Sequence, residues 1–253
     1  MEILEYGSKD KEKIILIHGF ESPYQIWDKY IDYFKKDYCV IVPILPGHNP
    51  NKEEQFISFD SCAKELEDFY INKYGDKVYA IYGMSMGGVL ASHIWKNKRL
   101  AINKLILESS SLLPYGKKIT NLLTKQYLSI THKAQKREQK TVKKAINTMV
   151  REEQLPIFLN LLDHISDATI INYIQEIAKF ILPTDIHTPN TDIYYFYGGK
   201  INELFFKRAA KFLKKHYSNA KTICLKRKGH CEDALLNPEA RIEELNEILY
   251  EGM

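Results

Sequence analysis

The hexapeptide Gly83–Gly88, with the sequence GMSMGG, is the strongest chemical signal in the chain. It fits G-x-S-x-G, in which a serine occupies a sharp turn from strand to helix and small neighbours allow close backbone packing. The apolar runs VYAIY before it and VLA after it supply that strand and helix. The pattern predicts that Ser85 is a nucleophile at the carboxyl edge of a sheet. The amide N–H of Met86, at the helix start, then faces a developing oxyanion.

Two other interpretations of the same glycines are weaker. A tight turn with an ordinary capping serine fits the spacing without any chemistry. A phosphate-binding loop does not, because no lysine follows Gly88 and the spacing G-x-G-x-x-G is absent.

A serine hydroxyl is a poor nucleophile at neutral pH and needs a base within hydrogen-bond reach. Histidine has the pKa suited to that task, and the chain contains eight histidines. His18 and His48 belong to loops that we interpret as structural. Only His230 lies in a loop just after a late strand, so we expect it to be the base.

These residues require a sheet to position them, and six short apolar, β-branched or aromatic runs indicate one. The runs are 13–18, 38–43, 78–83, 102–108, 192–198 and 220–225. Near-continuous apolar strands are typical of a parallel sheet covered on both faces, and the segments between them have helical periodicity. The pattern predicts a doubly wound, mostly parallel α/β sheet.

The alternation fails between Glu108 and Asp192, where four apolar helical faces replace strands. We interpret residues 112–189 as an all-helical insertion. Residues 1–111 and 190–253 then form the α/β core.

At this point the chain resembles the α/β-hydrolase family over nearly its whole length. The first strong strand runs into His18-Gly19-Phe20, similar to the H-G-x element whose last N–H, here that of Phe20, completes the oxyanion hole. The segment Leu45–His48 resembles the P-G-H-G loop, with Asn49 where glycine is usual. Lys228-Gly229-His230 stands where the family carries its catalytic histidine. The resemblance implies an α/β-hydrolase fold in which the helical insertion is a lid.

The resemblance also implies a triad acid just after the run DIYYFYG, in a spacing close to G-x-x-D. Counting from Gly199 gives Asn202, and counting from Gly198 gives an isoleucine. Glu203 is the nearest carboxylate, one residue late, and we favour it. Asn202 could orient the histidine without charge. Glu108, at the end of an earlier strand, is the third candidate.

The expected reaction is hydrolysis of a carboxylic ester or thioester through an acyl-enzyme on Ser85. Apolar insertion faces, with Tyr24, Trp27, Met84 and Met86, predict a small, partly apolar substrate. The runner-up is a C–C bond hydrolase or lyase similar to that of menaquinone synthesis, in which arginine is common where this chain has Val89. A non-catalytic ligand-binding member of the fold is the alternative from another class.

The charge distribution suggests a further partner. The 253 residues contain 36 Lys and Arg against 32 Asp and Glu, and a net charge of +4 does not indicate a nucleic-acid binder. Residues 117–151, however, contain ten basic residues against Glu138 alone, a local charge of +9. A solvated helix face explains this surplus simply. The sharper hypothesis is a basic lid that contacts anionic substrates or anionic lipid surfaces.

No cofactor, metal or disulfide is expected, because the four cysteines show no C-x-x-C pair and no metal motif occurs. The charged first residues and the lack of a membrane-length apolar run favour a cytoplasmic protein. The sequence does not indicate an oligomeric state.

Overall fold

The computed structural model describes residues 1–251 and centres on a seven-stranded sheet. Its strands are β1 (Glu2–Tyr6), β2 (Lys13–Ile17), β3 (Cys39–Ile44), β4 (Lys77–Met84), β5 (Ala101–Glu108), β6 (Asp192–Gly198) and β7 (Ala220–Leu225). The order across the sheet is β1-β3-β2-β4-β5-β6-β7. Strands β2 to β7 pair in parallel, and β1 pairs antiparallel with β3. The prediction of a mostly parallel α/β sheet is confirmed.

In the described part of the chain, ten α helices connect or flank these strands. They are α1 (Asp28–Phe34), α2 (Phe59–Tyr74), α3 (Met86–Asn97), α4 (Lys117–Gln135), α5 (Gln139–Thr148), α6 (Leu155–His164), α7 (Asp167–Lys179), α8 (Leu204–His216), α9 (Glu232–Leu236) and α10 (Pro238–Tyr250). Helices α2, α3 and α8 pack on one face of the sheet, and α1, α9 and α10 pack on the other.

Strand β2 shows why the apolar runs predict this architecture. Ile15 and Ile17 belong to the core on one face, and Ile14 and Leu16 belong to the core on the other. Successive side chains of a strand point to opposite faces, so a strand covered on both sides must be apolar at every position.

Helices α4 to α7 all lie between β5 and β6, within the stretch predicted to be helical. Helix α6 begins next to Pro156, which suits the first turn, where the missing N–H costs nothing. Helix α7 is capped by Ser166, whose hydroxyl accepts from the Thr169 amide. The division into a core and an insertion at residues 112 and 189 stays a prediction.

The edge strand β1 was not predicted from the sequence. Its five residues are all only half-buried, and it contains two glutamates. A short, charged edge strand limits pairing with other chains, but it lacks the apolar run that marks a buried strand. Across residues 1–251, no helix is both long enough and apolar enough to cross a membrane.

Candidate active site

Ser85 lies in a strained turn between β4 and α3. Its φ of +54° and ψ of −114° are unusual for a residue with a side chain. The Ser85 N–H donates to the carbonyl oxygen of Glu108 at 2.7 Å, which ties the turn to β5. A Cβ on Gly83 would lie 2.5 Å from the Gly87 oxygen, and one on Gly87 would lie 2.6 Å from the His18 oxygen. Glycine is therefore required at both positions for backbone segments to approach.

The loop after β7 brings His230 to this serine. His230 Nε2 lies 2.8 Å from Ser85 Oγ. On the other side of the ring, Nδ1 lies 3.2 Å from Glu203 Oε1. The ring of Phe206 packs beside the imidazole, with centroids 4.8 Å apart. The structure thus brings a hydroxyl, an imidazole and a carboxylate into one hydrogen-bonded chain.

Glu203 is held as an ionised carboxylate although it is only 1% exposed. Its Oε2 accepts from Ser109 Oγ at 2.7 Å and from the Gly198 N–H at 3.1 Å. Burial alone would raise the pKa of Glu203, but hydrogen bonds from His230 and these two donors outweigh it and lower the pKa below 4.5. A carboxylate in this position can fix the tautomer of His230 and stabilise its protonated form.

The other two candidates for the acid lie elsewhere. Asn202 lines the same cavity as Ser85 but makes no hydrogen bond to His230 in the described part of the chain. Glu108 is fully buried and pairs with the guanidinium of Arg241 at 3.0 Å, while Tyr82 donates to its second oxygen. Among the three candidates, only Glu203 contacts His230.

Two backbone amides lie close to Ser85 as predicted oxyanion donors. Met86 is the first residue of α3, so its N–H has no acceptor within the helix. Phe20 follows Gly19, whose added Cβ would be 3.5 Å from the Ser85 Cβ. Within residues 1–251, the Phe20 N–H donates to no acceptor. Both amides are therefore available to a negative oxygen.

Two buried histidines hold in place the loop after β2, which carries Phe20. His48 Nε2 accepts from the Glu21 N–H at 3.1 Å, and His18 Nε2 accepts from the Leu45 N–H at 3.2 Å. Burial lowers the pKa of His18 to about 4 and that of His48 well below its usual value. Both rings are thus neutral at physiological pH and can accept these hydrogen bonds, as expected for structural residues.

Ser85 opens into a cavity of about 630 Å³ between the sheet edge and helices α4 to α7. Its walls are mostly apolar and include Leu123, Tyr127, Met149, Phe158, Leu162, Ile174 and Ile177. Val89, on α3, also lines it. Three exposed lysines, Lys133, Lys140 and Lys144, lie along the same cavity. The cavity thus combines an apolar interior with basic groups in contact with solvent.

Three predicted substrate contacts are wrong, because their side chains lie outside this cavity. Trp27 is fully buried in the core on the opposite face of the sheet, with its ring 5.3 Å from that of Tyr82. Met84 belongs to the same core. Tyr24 lines a separate cleft of about 380 Å³ with Asn49. Met86, in contrast, does line the cavity.

Three residues at the site were missed by sequence reasoning. Ser109 follows β5 and holds Glu203, and its φ of +44° marks it as a strained position. Glu21 lines the cavity directly after the H-G-F element, and Thr131 of α4 contacts it. The position of Glu21 beside a recognised motif was the one available signal. Within residues 1–251, no cluster of His, Cys, Asp and Glu is arranged to hold a metal.

The comparisons with known proteins agree with this fold. The model of the family described as the alpha/beta hydrolase fold matches residues 13–140, about half of the chain. The chain therefore belongs to the α/β-hydrolase family.

The similarity to individual curated proteins is low and covers only part of the chain. A pimeloyl-[acyl-carrier protein] methyl ester esterase of Vibrio parahaemolyticus is 28% identical over 98 residues, which are 39% of this chain and 36% of that protein. The chain thus matches only about a third of this curated relative.

Two solved structures match nearly the whole chain. An α/β hydrolase family protein of Desulfitobacterium hafniense has a TM-score of 0.78 at 20% identity, covering 98% of this chain and 100% of its own. A carboxylesterase of the thaumarchaeon Nitrososphaera gargenis has a TM-score of 0.76 at 15% identity, covering 98% and 93%. At these sequence identities, the structural similarity shows the fold alone.

Proposed function

We propose that the protein is a serine esterase that hydrolyses a small, partly apolar carboxylic ester or thioester. The observation that carries the proposal is the chain of contacts from Ser85 Oγ through His230 to Glu203, at 2.8 and 3.2 Å. The esterase named among the relatives and the carboxylesterase among the structural neighbours support the same reaction class.

In the proposed mechanism, Ser85 Oγ attacks the carbonyl carbon while His230 Nε2 takes its proton. The amides of Phe20 and Met86 donate to the carbonyl oxygen as it becomes negative. His230 then gives the proton to the leaving alcohol or thiol, and an acyl group remains on Ser85. Water, deprotonated by the same imidazole, attacks the acyl carbonyl. The bond to Ser85 Oγ then breaks, His230 returns the proton to that oxygen, and the acid is released. Glu203 orients the ring in both steps and stabilises its charged form.

Each proposed contribution has a physical basis in the site. The strained turn holds Ser85 at the end of β4, where its half-buried side chain lines the cavity and already contacts His230. The two oxyanion amides are fixed by the start of α3 and by the histidine-held loop, so they are oriented before the substrate binds. The apolar walls of the cavity lower the local dielectric constant, which strengthens these electrostatic interactions once a substrate fills the cavity.

Three lysines favour esters that also carry a negative charge. Lys133, Lys140 and Lys144 line the cavity and form no ion pair within residues 1–251. They are part of the surplus of basic residues between 117 and 151. Unpaired cations beside a cavity raise the local concentration of anions, and salt weakens this effect. Faster hydrolysis of a carboxylate-bearing ester than of its neutral analogue at low salt, converging at high salt, would support this part of the proposal.

Turnover of p-nitrophenyl acetate and butanoate tests the central reaction. We expect wild-type protein to hydrolyse both, and Ser85→Ala to lose at least ~10³-fold in kcat/KM. Ser218→Ala, at an exposed serine before β7, is the matched control and should retain full activity. If the wild-type protein hydrolyses no ester, the chain is a non-catalytic member of the fold and the proposal fails.

A further inference from the structure

Glu21 is a buried carboxyl in the substrate cavity that the proposed mechanism does not use. It directly follows Phe20 and is only 3% exposed. Its backbone has a φ of +54°, and its N–H is held by His48. An acidic side chain is therefore fixed in an apolar cavity, next to the loop that would bind the carbonyl oxygen of an ester.

The carboxyl has too few partners for its burial. Its Oε1 lies 2.5 Å from Thr131 Oγ1, a hydroxyl that also lies 2.9 Å from the Tyr127 carbonyl oxygen. One hydroxyl has one proton and cannot donate to both acceptors at once. Within residues 1–251, no Lys, Arg or His forms an ion pair with Glu21. Its Oε2 accepts no hydrogen bond from the protein, but it is not one of the fully enclosed side-chain atoms, so it remains accessible in the cavity. Burial raises the pKa of Glu21 to about 7.

A buried carboxyl without a cation or a full set of hydrogen bonds is costly to the fold. Such a group can instead be satisfied by a ligand when it lines a cavity, and Glu21 does so together with Ser85. A polar group placed in an apolar pocket fixes the orientation of what binds there. These facts point to a contact with the substrate.

We propose that Glu21 forms a specificity subsite that accepts a hydrogen bond from a hydroxyl or amide N–H of the ester substrate. The subsite deepens the proposed esterase function and rests on it. The donor lies close to the ester group, because Glu21 is adjacent to the Phe20 amide. A neutral donor is favoured over an ammonium group, because the three lysines along the cavity oppose the entry of cations.

Two pairs of esters test this subsite on each side of the carbonyl. The first pair is p-nitrophenyl butanoate and p-nitrophenyl 3-hydroxybutanoate, the latter assayed as each of its two enantiomers. The second pair is ethyl butanoate and 2-hydroxyethyl butanoate, whose hydrolysis is measured from the acid that each ester releases. We expect wild-type protein to prefer the hydroxylated ester about 10- to 100-fold in kcat/KM in at least one pair, the range for a hydrogen bond to a charged or buried group.

Variants assign that preference to the carboxyl. In Glu21→Leu the preference should fall to less than threefold, whereas Glu21→Gln, which keeps an acceptor oxygen, should retain most of it. Glu21→Met is a second apolar variant of similar volume, for use if the leucine variant does not fold. Glu243→Gln removes a negative charge at an exposed position of α10 and is the matched control, expected to keep the wild-type preference.

The outcomes separate this inference from the function on which it rests. Wild-type hydrolysis with no preference in either pair overturns the subsite and leaves the esterase proposal standing. A wild-type preference that survives in both apolar variants also overturns it. Absence of all ester hydrolysis would instead overturn the esterase proposal itself, and the subsite with it.

Discussion

Replacing Glu203 by glutamine tests the triad geometry most closely, because the structure dictates how the new amide must orient. The Gly198 N–H and the Ser109 hydroxyl both donate to Oε2 of Glu203. In Glu203→Gln, the amide oxygen must occupy that position to accept them. The NH₂ group then faces His230 Nδ1, which becomes an acceptor and leaves the ring proton on Nε2. With Nε2 protonated, His230 cannot take the proton of Ser85.

We expect Glu203→Gln to lower kcat/KM by about 10⁴-fold, the loss caused by the wrong histidine tautomer in serine-protease triads. This corresponds to about 5.5 kcal/mol of transition-state stabilisation at about 1.4 kcal/mol for each factor of ten. The measurement is steady-state hydrolysis of p-nitrophenyl butanoate, with circular dichroism to check that the variant is folded.

Asn202→Ala is the matched control, because the neighbouring residue lines the same cavity without contacting His230. The loss of kcat/KM in this variant should stay below about tenfold, which is the effect of removing one ordinary contact. A Glu203→Gln variant that is folded and retains more than a tenth of wild-type kcat/KM would refute the reasoning. A large loss of kcat/KM in Asn202→Ala would instead indicate that the side-chain amide of Asn202, and not Glu203, orients His230.

Three further changes test the fold and its charges. Arg241→Met should lower the free energy of unfolding by about 3–5 kcal/mol in urea titrations, because it leaves the carboxylate of Glu108 buried without its partner; a loss under 1 kcal/mol would contradict this. Gly87→Ala should destabilise the protein by about 3 kcal/mol or more, because the new Cβ would meet the backbone carbonyl of Ile17, which cannot move aside; wild-type thermal stability would contradict it. Glu21 should make stability fall as pH rises, because burial raises its folded-state pKa from 4.5 to about 7 and the folded protein holds the proton more tightly. From pH 4 to pH 8, the free energy of unfolding of Glu21→Gln should therefore rise by about 3 kcal/mol relative to that of wild type, at about 1.4 kcal/mol for each pKa unit. A difference in unfolding free energy that does not depend on pH would contradict this.

Much of the sheet could be predicted from the sequence, because strands buried on both faces must be apolar throughout. The turn at Ser85 was equally visible, since close backbone approach demands glycine at fixed positions. Strand β1 was not visible, because an edge strand needs no such run.

The alternation of side chains along β4 could have corrected one wrong substrate contact. Ala80, Tyr82 and Met84 lie two residues apart and share one core, on the face of the sheet that also buries Trp27. Met84 therefore points away from the cavity although it precedes Ser85 in sequence. Proximity in sequence to a functional residue was the misleading argument.

The acid could not be assigned by counting residues, because the result depends on how the chain turns after β6. A short 3-10 turn over Ile201–Glu203 brings the longer side chain back towards β6, where it accepts from the Gly198 N–H. Counting residues placed Asn202 in the position of the acid, and Glu203 was favoured only as the nearest carboxylate; the contact with His230 distinguishes the two. The contact between Glu21 and Thr131 was not predicted, because the two residues are 110 positions apart and Thr131 belongs to no motif.

Labelling with a fluorophosphonate tests the central proposal most directly, because this reagent reacts with a serine only when a base and oxyanion donors activate it. Intact-mass measurement and peptide mapping should find one adduct, on Ser85. The adduct should disappear in Ser85→Ala and form far more slowly in His230→Ala. No adduct on wild-type protein, or an adduct on a serine other than Ser85, would contradict the assignment of Ser85 as the nucleophile.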